Sequence, residues 1–158
     1  MGIGQRSEIR WLSVIVLGLA MPGTAEAEGV KMLRAVGFAA EAFVRPEVRE
    51  ECELQTKLPH FVQQYAQEQG IEVQLVDTLP QNGRVLQVEL VDTFEQGNAW
   101  IGRSKGLTIR GQLLEGGKPI GSFRGRRSTS GGAFGGYKGN CAFFGRCAKT
   151  LGADVAKW

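Results

Sequence analysis

The chain has 158 residues, 22% of them charged, a formal net charge of +3, and three cysteines. So small an excess of charge excludes the dense basic footprint of a dedicated nucleic-acid binder on total charge alone. The length sets one ordinary domain, large enough to bury a core without help.

Residues 1–27 read as an export signal. Arg6 and Arg10 precede the apolar run from Trp11 to Ala20, and Pro22-Gly23 follows. Ala25 and Ala27 then offer the small side chains that signal peptidase reads at alternate positions, which places cleavage after Ala27. The apolar run is too short to cross a bilayer core of roughly 30 Å as a stable helix, so no membrane-spanning segment is expected once the signal is removed. No cysteine stands near the cut to carry a lipid. Residues 28–158 are thus expected to form a single exported, periplasmic domain, in a compartment where two of the three cysteines should pair.

From Gly29 to Val44, Val36, Phe38, Ala40 and Ala42 alternate with Gly37, Ala39, Glu41 and Phe43, as a strand would. Arg45-Pro46 ends the run, and Glu47 to Glu53 reads as a connection. Thr56, followed by Lys57, Leu58 and Pro59, has the chemistry of a helix start. Leu58, Phe61, Val62 and Tyr65 fall on one face, and Gly70 stands where a left-handed residue closes a helix. Four strands follow: Ile71 to Leu75, Leu86 to Leu90, Leu107 to Leu113, and Ile120 to Arg127. Pro80-Gln81-Asn82-Gly83 makes one turn, and Glu115-Gly116-Gly117-Lys118 makes a hairpin. Each strand has one apolar and one polar face, the mark of an antiparallel sheet covered on one side. Phe144, Cys147, Ala148, Leu151, Val155 and Trp158 recur at helical spacing and form a stripe suited to that apolar face. The expected architecture is α+β: a two-layer, mainly antiparallel sheet with two helices on one face, in the order β-α-β-β-β-β-α. No internal repeat divides it.

The stretch from Gly131 to Cys147 invites comparison with a phosphate-binding loop. Gly131 and Gly136 have the required separation, but Tyr137 intrudes before Lys138, and Gly139 stands where a hydroxyl must hold magnesium. The segment reads instead as a hinge between the last strand and the final helix. Cys141 and Cys147 can pair if Gly145 breaks the helix. On one continuous helix their α-carbons would be about 9 Å apart, beyond disulfide reach. Cys52 is the competing partner. If every strand connection were a hairpin, the helices would run antiparallel and Cys52 would lie at the far end, so a Cys141–Cys147 bridge is expected, with Cys52 reduced.

Catalytic chemistry is sparse. His60 is the single histidine. None of Ser104, Ser122, Ser128 or Ser130 sits in a nucleophile elbow, and nothing has the spacing of a zinc site, so neither metal nor cofactor is expected. Asp77, Glu89 and Asp92 fall near strand ends and are the carboxylates an envelope-polymer hydrolase would have to use. The basic residues are more suggestive. Arg103, Lys105 and Arg110 on one strand, with Arg124, Arg126, Arg127 and Lys138 on the next and its exit, can be gathered by hairpin pairing into an anion-binding patch. Such a patch would serve an anionic lipid, a polysaccharide or an acidic protein of the envelope.

The segments "CELQTKLPHFVQQYAQEQG", "LTIRGQLLEGGKPIGSFRGRRSTSGGAFGGYKG" and "CAFFGRCAKTLGADVAKW" together resemble small exported Gram-negative proteins of unknown function. Their element order is similar to that of the amino-terminal domain of TolB, a helix-covered sheet used for interaction rather than catalysis. The resemblance implies a periplasmic location and brings no functional residues with it.

Overall fold

The structure, a computed structural model, describes residues 29–98, 102–130 and 139–158, with the backbone alone at 97, 98, 102 and 103. The expected export signal lies outside the described residues, as does the glycine-rich stretch from Gly131 to Lys138. The elements are β1 (Val30–Leu33), β2 (Gly37–Phe43), α1 (Pro46–Glu51), α2 (Leu54–Glu68), β3 (Val73–Val76), β4 (Arg84–Asn98), β5 (Gly102–Glu115), β6 (Lys118–Ser130) and α3 (Asn140–Lys157). They form a two-layer α+β domain with the helices on one face of a mixed sheet.

The sheet order is β3-β1-β4-β5-β6, with β2 also paired to β4. The single strand expected over Gly29–Val44 is two. Both lie parallel to β4, β1 beside Val85 and Leu86 and β2 beside Glu89 and Leu90. The segment expected as a connection after Pro46 contains α1, which buries Val48. β3 runs parallel to β1, with Val30 opposite Val73, so residues 77–83 carry the chain back across β1 rather than through a hairpin. The remaining ladders, β4 with β5 and β5 with β6, are antiparallel as expected.

α2 begins two residues before Thr56, and the Thr56 hydroxyl donates back to the Glu53 carbonyl at 3.1 Å rather than capping free amides. Gly70 ends the helix at φ 74°, and its N–H donates to the Gln67 carbonyl. α3 is unbroken from Asn140, and its apolar stripe, including the fully buried Ala148 and Leu151, packs against α2 and against Leu107 and Ile109 of the sheet. Burying large side chains such as Leu58, Leu90, Leu107 and Ile109 drives the two layers together, each contributing about 1.5–3 kcal/mol.

The expected Cys141–Cys147 disulfide is not formed: Cys141 is bonded to Cys52, 89 residues away, and Cys147 is a buried free thiol. Two features of the fold explain the difference. Gly145 does not break α3, so Cys141 and Cys147 stay a turn and a half apart on one rod. The parallel placement of β3 also reverses the expected direction of α2 relative to α3. The starts of both helices therefore meet at one end, where the Cys52 and Cys141 α-carbons are 4.8 Å apart.

Candidate interaction face

The helix-facing side of the sheet is filled by the core, and among the described residues no helix covers the opposite side. Strand alternation decides which cations reach it. Arg110 of β5 lies opposite Glu89 of β4 and Arg124 of β6, so these three side chains form a row across three strands on the uncovered side. The Arg110 guanidinium is clamped from both flanks. It donates to Glu89 Oε2 at 2.9 Å through Nε and pairs with Glu41 of β2. The hydrogen bonds it donates to Glu89 and Glu41 raise its pKa above that of a free arginine. Glu41 is correspondingly held below the usual carboxylate range, first by its own backbone hydrogen bond, then by Arg110, and through space by Arg124, with burial opposing. A shallow depression of about 410 Å³, lined mainly by Gln87, Glu89, Arg110, Gln112 and Ser122, opens on this face.

Arg126 lies one step further along β6, opposite Thr108. A bulge in β4 between Leu90 and Asp92 shifts its alternation, so that Asp92 and Phe94, rather than Val91 and Thr93, share the uncovered face. Phe94 lies over Gly106, where any Cβ would collide with its ring, and the Arg126 guanidinium stacks on that ring at 3.8 Å. A stacked guanidinium is held flat with its N–H edge free, which suits it to a planar anion.

The other expected patch residues are elsewhere. Lys105 is on the helix-facing side, only 8% exposed, with Nζ 2.9 Å from Glu95 Oε1 and a further bond to the Asn140 side chain at the start of α3. Glu95 is also paired with Arg45, so the three charges tie the ends of β4 and β5 to the helix layer. Arg127 faces α3 and is bidentate to Asp154 at 2.7 and 2.8 Å, which raises its pKa. The backbone of Arg103 pairs with Gly97. Lys138 lies outside the described residues. The face thus brings together Arg110, Arg124 and Arg126, and draws in Phe94, which the sequence pattern did not single out.

The carboxylates are arranged for charge pairing. Asp77 accepts from Arg34 at 3.0 Å, and Glu41 and Glu89 converge on Arg110. A general acid must hold its proton near neutral pH, and the shift at Glu41 is in the opposite direction. Asp92 lies opposite Thr108, and His60 is exposed on α2. Among the described residues no three histidine, cysteine or carboxylate side chains gather as a metal site would require. Burial raises the Cys147 thiol pKa, with Arg146 opposing.

No protein-family model matches the sequence, and no curated protein matches it at a significant level. Solved structures do. Protein XCC0632 of the DUF330 family, from Xanthomonas campestris, superposes with a TM-score of 0.59 at 10% identity, covering 84% of this chain and 83% of that one. The PelC dodecamer from Paraburkholderia phytofirmans superposes with a TM-score of 0.52 at 13% identity, covering 85% and 89%. A leucine-to-methionine variant of PelC, in a second crystal form, gives 0.51 at 14% identity, covering 82% and 83%. The likeness is one of fold. All three come from Gram-negative bacteria.

Proposed function

We propose that the protein is a non-catalytic interaction domain of the periplasmic cell envelope that holds an anionic envelope component or a protein partner on the uncovered face of its sheet. One observation carries the reading. On a face where Arg110 is already neutralised by Glu41 and Glu89, Arg124 and Arg126 form no ion pair among the described residues. Strongly hydrated cations could sit on any surface, but a guanidinium stacked over an aromatic ring is an oriented donor awaiting an acceptor. The signal-like amino terminus supports export, and the fold shared with the dodecameric PelC supports a domain that works through contacts with other molecules.

The test is a thermal-shift screen of cell-wall fragments, anionic phospholipids and lipopolysaccharide, run beside product analysis of the same mixtures. Binding without turnover is the expected outcome. Product formation that is abolished by Glu41→Gln or Glu89→Gln overturns the reading in favour of a carboxylate hydrolase.

A further inference from the structure

The last strand has an open edge. β6 pairs with β5 on one side and, among the described residues, with no strand on the other. Edge strands are usually protected by lysine, proline or short length. Here Lys118, Pro119 and a register shift beside Leu113 guard the beginning of a 13-residue strand, and the rest of it carries arginines but no proline or lysine. The two faces bordering the rest of that edge differ in chemistry. On the helix side, a mainly apolar groove of about 190 Å³ runs between β6 and the end of α3, with walls from Ile109, Phe123, Leu151, Val155 and Trp158, and with Arg124 and the Arg127-paired carboxylate of Asp154 at its margin. Gly125 keeps its floor open: a Cβ there would come within 2.9 Å of Leu151. Trp158 leans on Phe123 with ring centroids 5.0 Å apart and remains 53% exposed. On the other side of the same strand stand Arg124 and Arg126.

A strand added to a sheet edge sends successive side chains to opposite faces. Its residues on the helix side would meet the apolar groove, and those on the uncovered side would meet the two arginines. We infer that the open edge of β6 receives an extended, acidic segment of a partner protein as an additional strand, with apolar side chains at alternate positions in the groove beside α3 and carboxylates beside Arg124 and Arg126. Main-chain hydrogen bonds supply the affinity in this mode of recognition, and the alternate side chains supply the selectivity. The inference rests on the reading above and narrows its partner to a polypeptide. A second copy of this chain is a poor occupant, because pairing β6 with itself would set the same arginines near one another, and like charges across a strand pair are destabilising.

The probe is a ten-residue synthetic peptide that alternates glutamate with valine and leucine. Its controls are the same composition in two blocks and the alternating peptide N-methylated at every second amide. Titration calorimetry and hydrogen exchange on the purified protein give the readouts. The alternating peptide is expected to bind and to slow exchange of β6 amides, the N-methylated peptide to bind at least about tenfold more weakly because several main-chain bonds are lost, and Arg124→Glu with Arg126→Glu to weaken binding by about tenfold. No peptide binding, equal binding of the N-methylated peptide, or protection that falls outside β6 overturns the inference. So does a free protein that sediments as a dimer with β6 amides already protected. Retention on anionic vesicles without peptide binding sinks this inference alone and leaves the broader reading standing, whereas loss of both sinks the two together.

Discussion

Replacing Gly152 with alanine probes the contact that sets the spacing of α2 and α3. Helix propensity alone favours the change by about 1 kcal/mol. The new Cβ, however, would lie 2.6 Å from Cβ of Phe61, 3.0 Å from its carbonyl carbon and 3.1 Å from the backbone nitrogen of Val62. Two of those atoms belong to the main chain of α2 and cannot rotate away, so the helices must separate. Overpacking of this kind costs about 1–3 kcal/mol, and a backbone neighbour places it at the upper end, for a net loss of about 2 kcal/mol after the propensity gain. Gly145 is the internal control. It lies on the same helix with nothing within 4 Å of its would-be Cβ, so Gly145→Ala should gain about 0.5–1 kcal/mol. Urea unfolding of the two variants and the parent measures both, and the midpoints should move in opposite directions. A Gly152→Ala protein as stable as the parent, or more so, refutes the packing of α3 on α2 described above.

Non-reducing peptide mapping should recover Cys52 linked to Cys141, and Cys52→Ser should cost about 4–5 kcal/mol, the loop-closure value for a bridge of this span. Cys147 should resist alkylation until the protein is unfolded. Its thiol pKa is raised in the folded state from the usual 9.0, so its contribution is present at neutral pH and is lost as pH rises past the value of the unfolded thiol, where only the unfolded chain gives up the proton. Cys147→Ala should therefore flatten the alkaline fall in stability relative to the parent, which urea unfolding at several pH values will read. Mass spectrometry of the protein purified from its native host should find a chain beginning at Glu28, while a chain still beginning at Met1 would refute cleavage after Ala27.

The parts of the fold legible in the sequence are those set by local pattern. Leu58, Val62 and Gly70 mark α2, the Glu115–Lys118 turn marks the β5–β6 hairpin, and the stripe from Phe144 to Val155 marks α3. The parallel strands were not legible, because β1 and β3 are four residues each and a strand that short carries no sign of its partner's direction. That gap also produced the wrong disulfide, since the expected distance from Cys52 to Cys141 depended on every connection being a hairpin. The candidate face was legible in part. Arg110, Arg124 and Arg126 follow from alternation, whereas Lys105 and Arg127 have the opposite parity and meet Glu95 and Asp154 on the helix side. Phe94 was hidden by the bulge in β4, which changes the parity of the strand at Val91 with no glycine or proline to announce it.

The central claim, that Arg124 and Arg126 form a recognition face, is tested most directly by retention of the parent and the Arg124→Glu, Arg126→Glu double variant on anionic vesicles and on lipopolysaccharide, measured from low salt to about 0.5 M, where exposed charges are screened within a few ångströms. The account predicts retention of the parent that falls steeply with salt, and weaker retention of the double variant at an unchanged melting temperature. Equal retention of the two proteins at low salt would contradict it and reduce the arginines to a solvated surface.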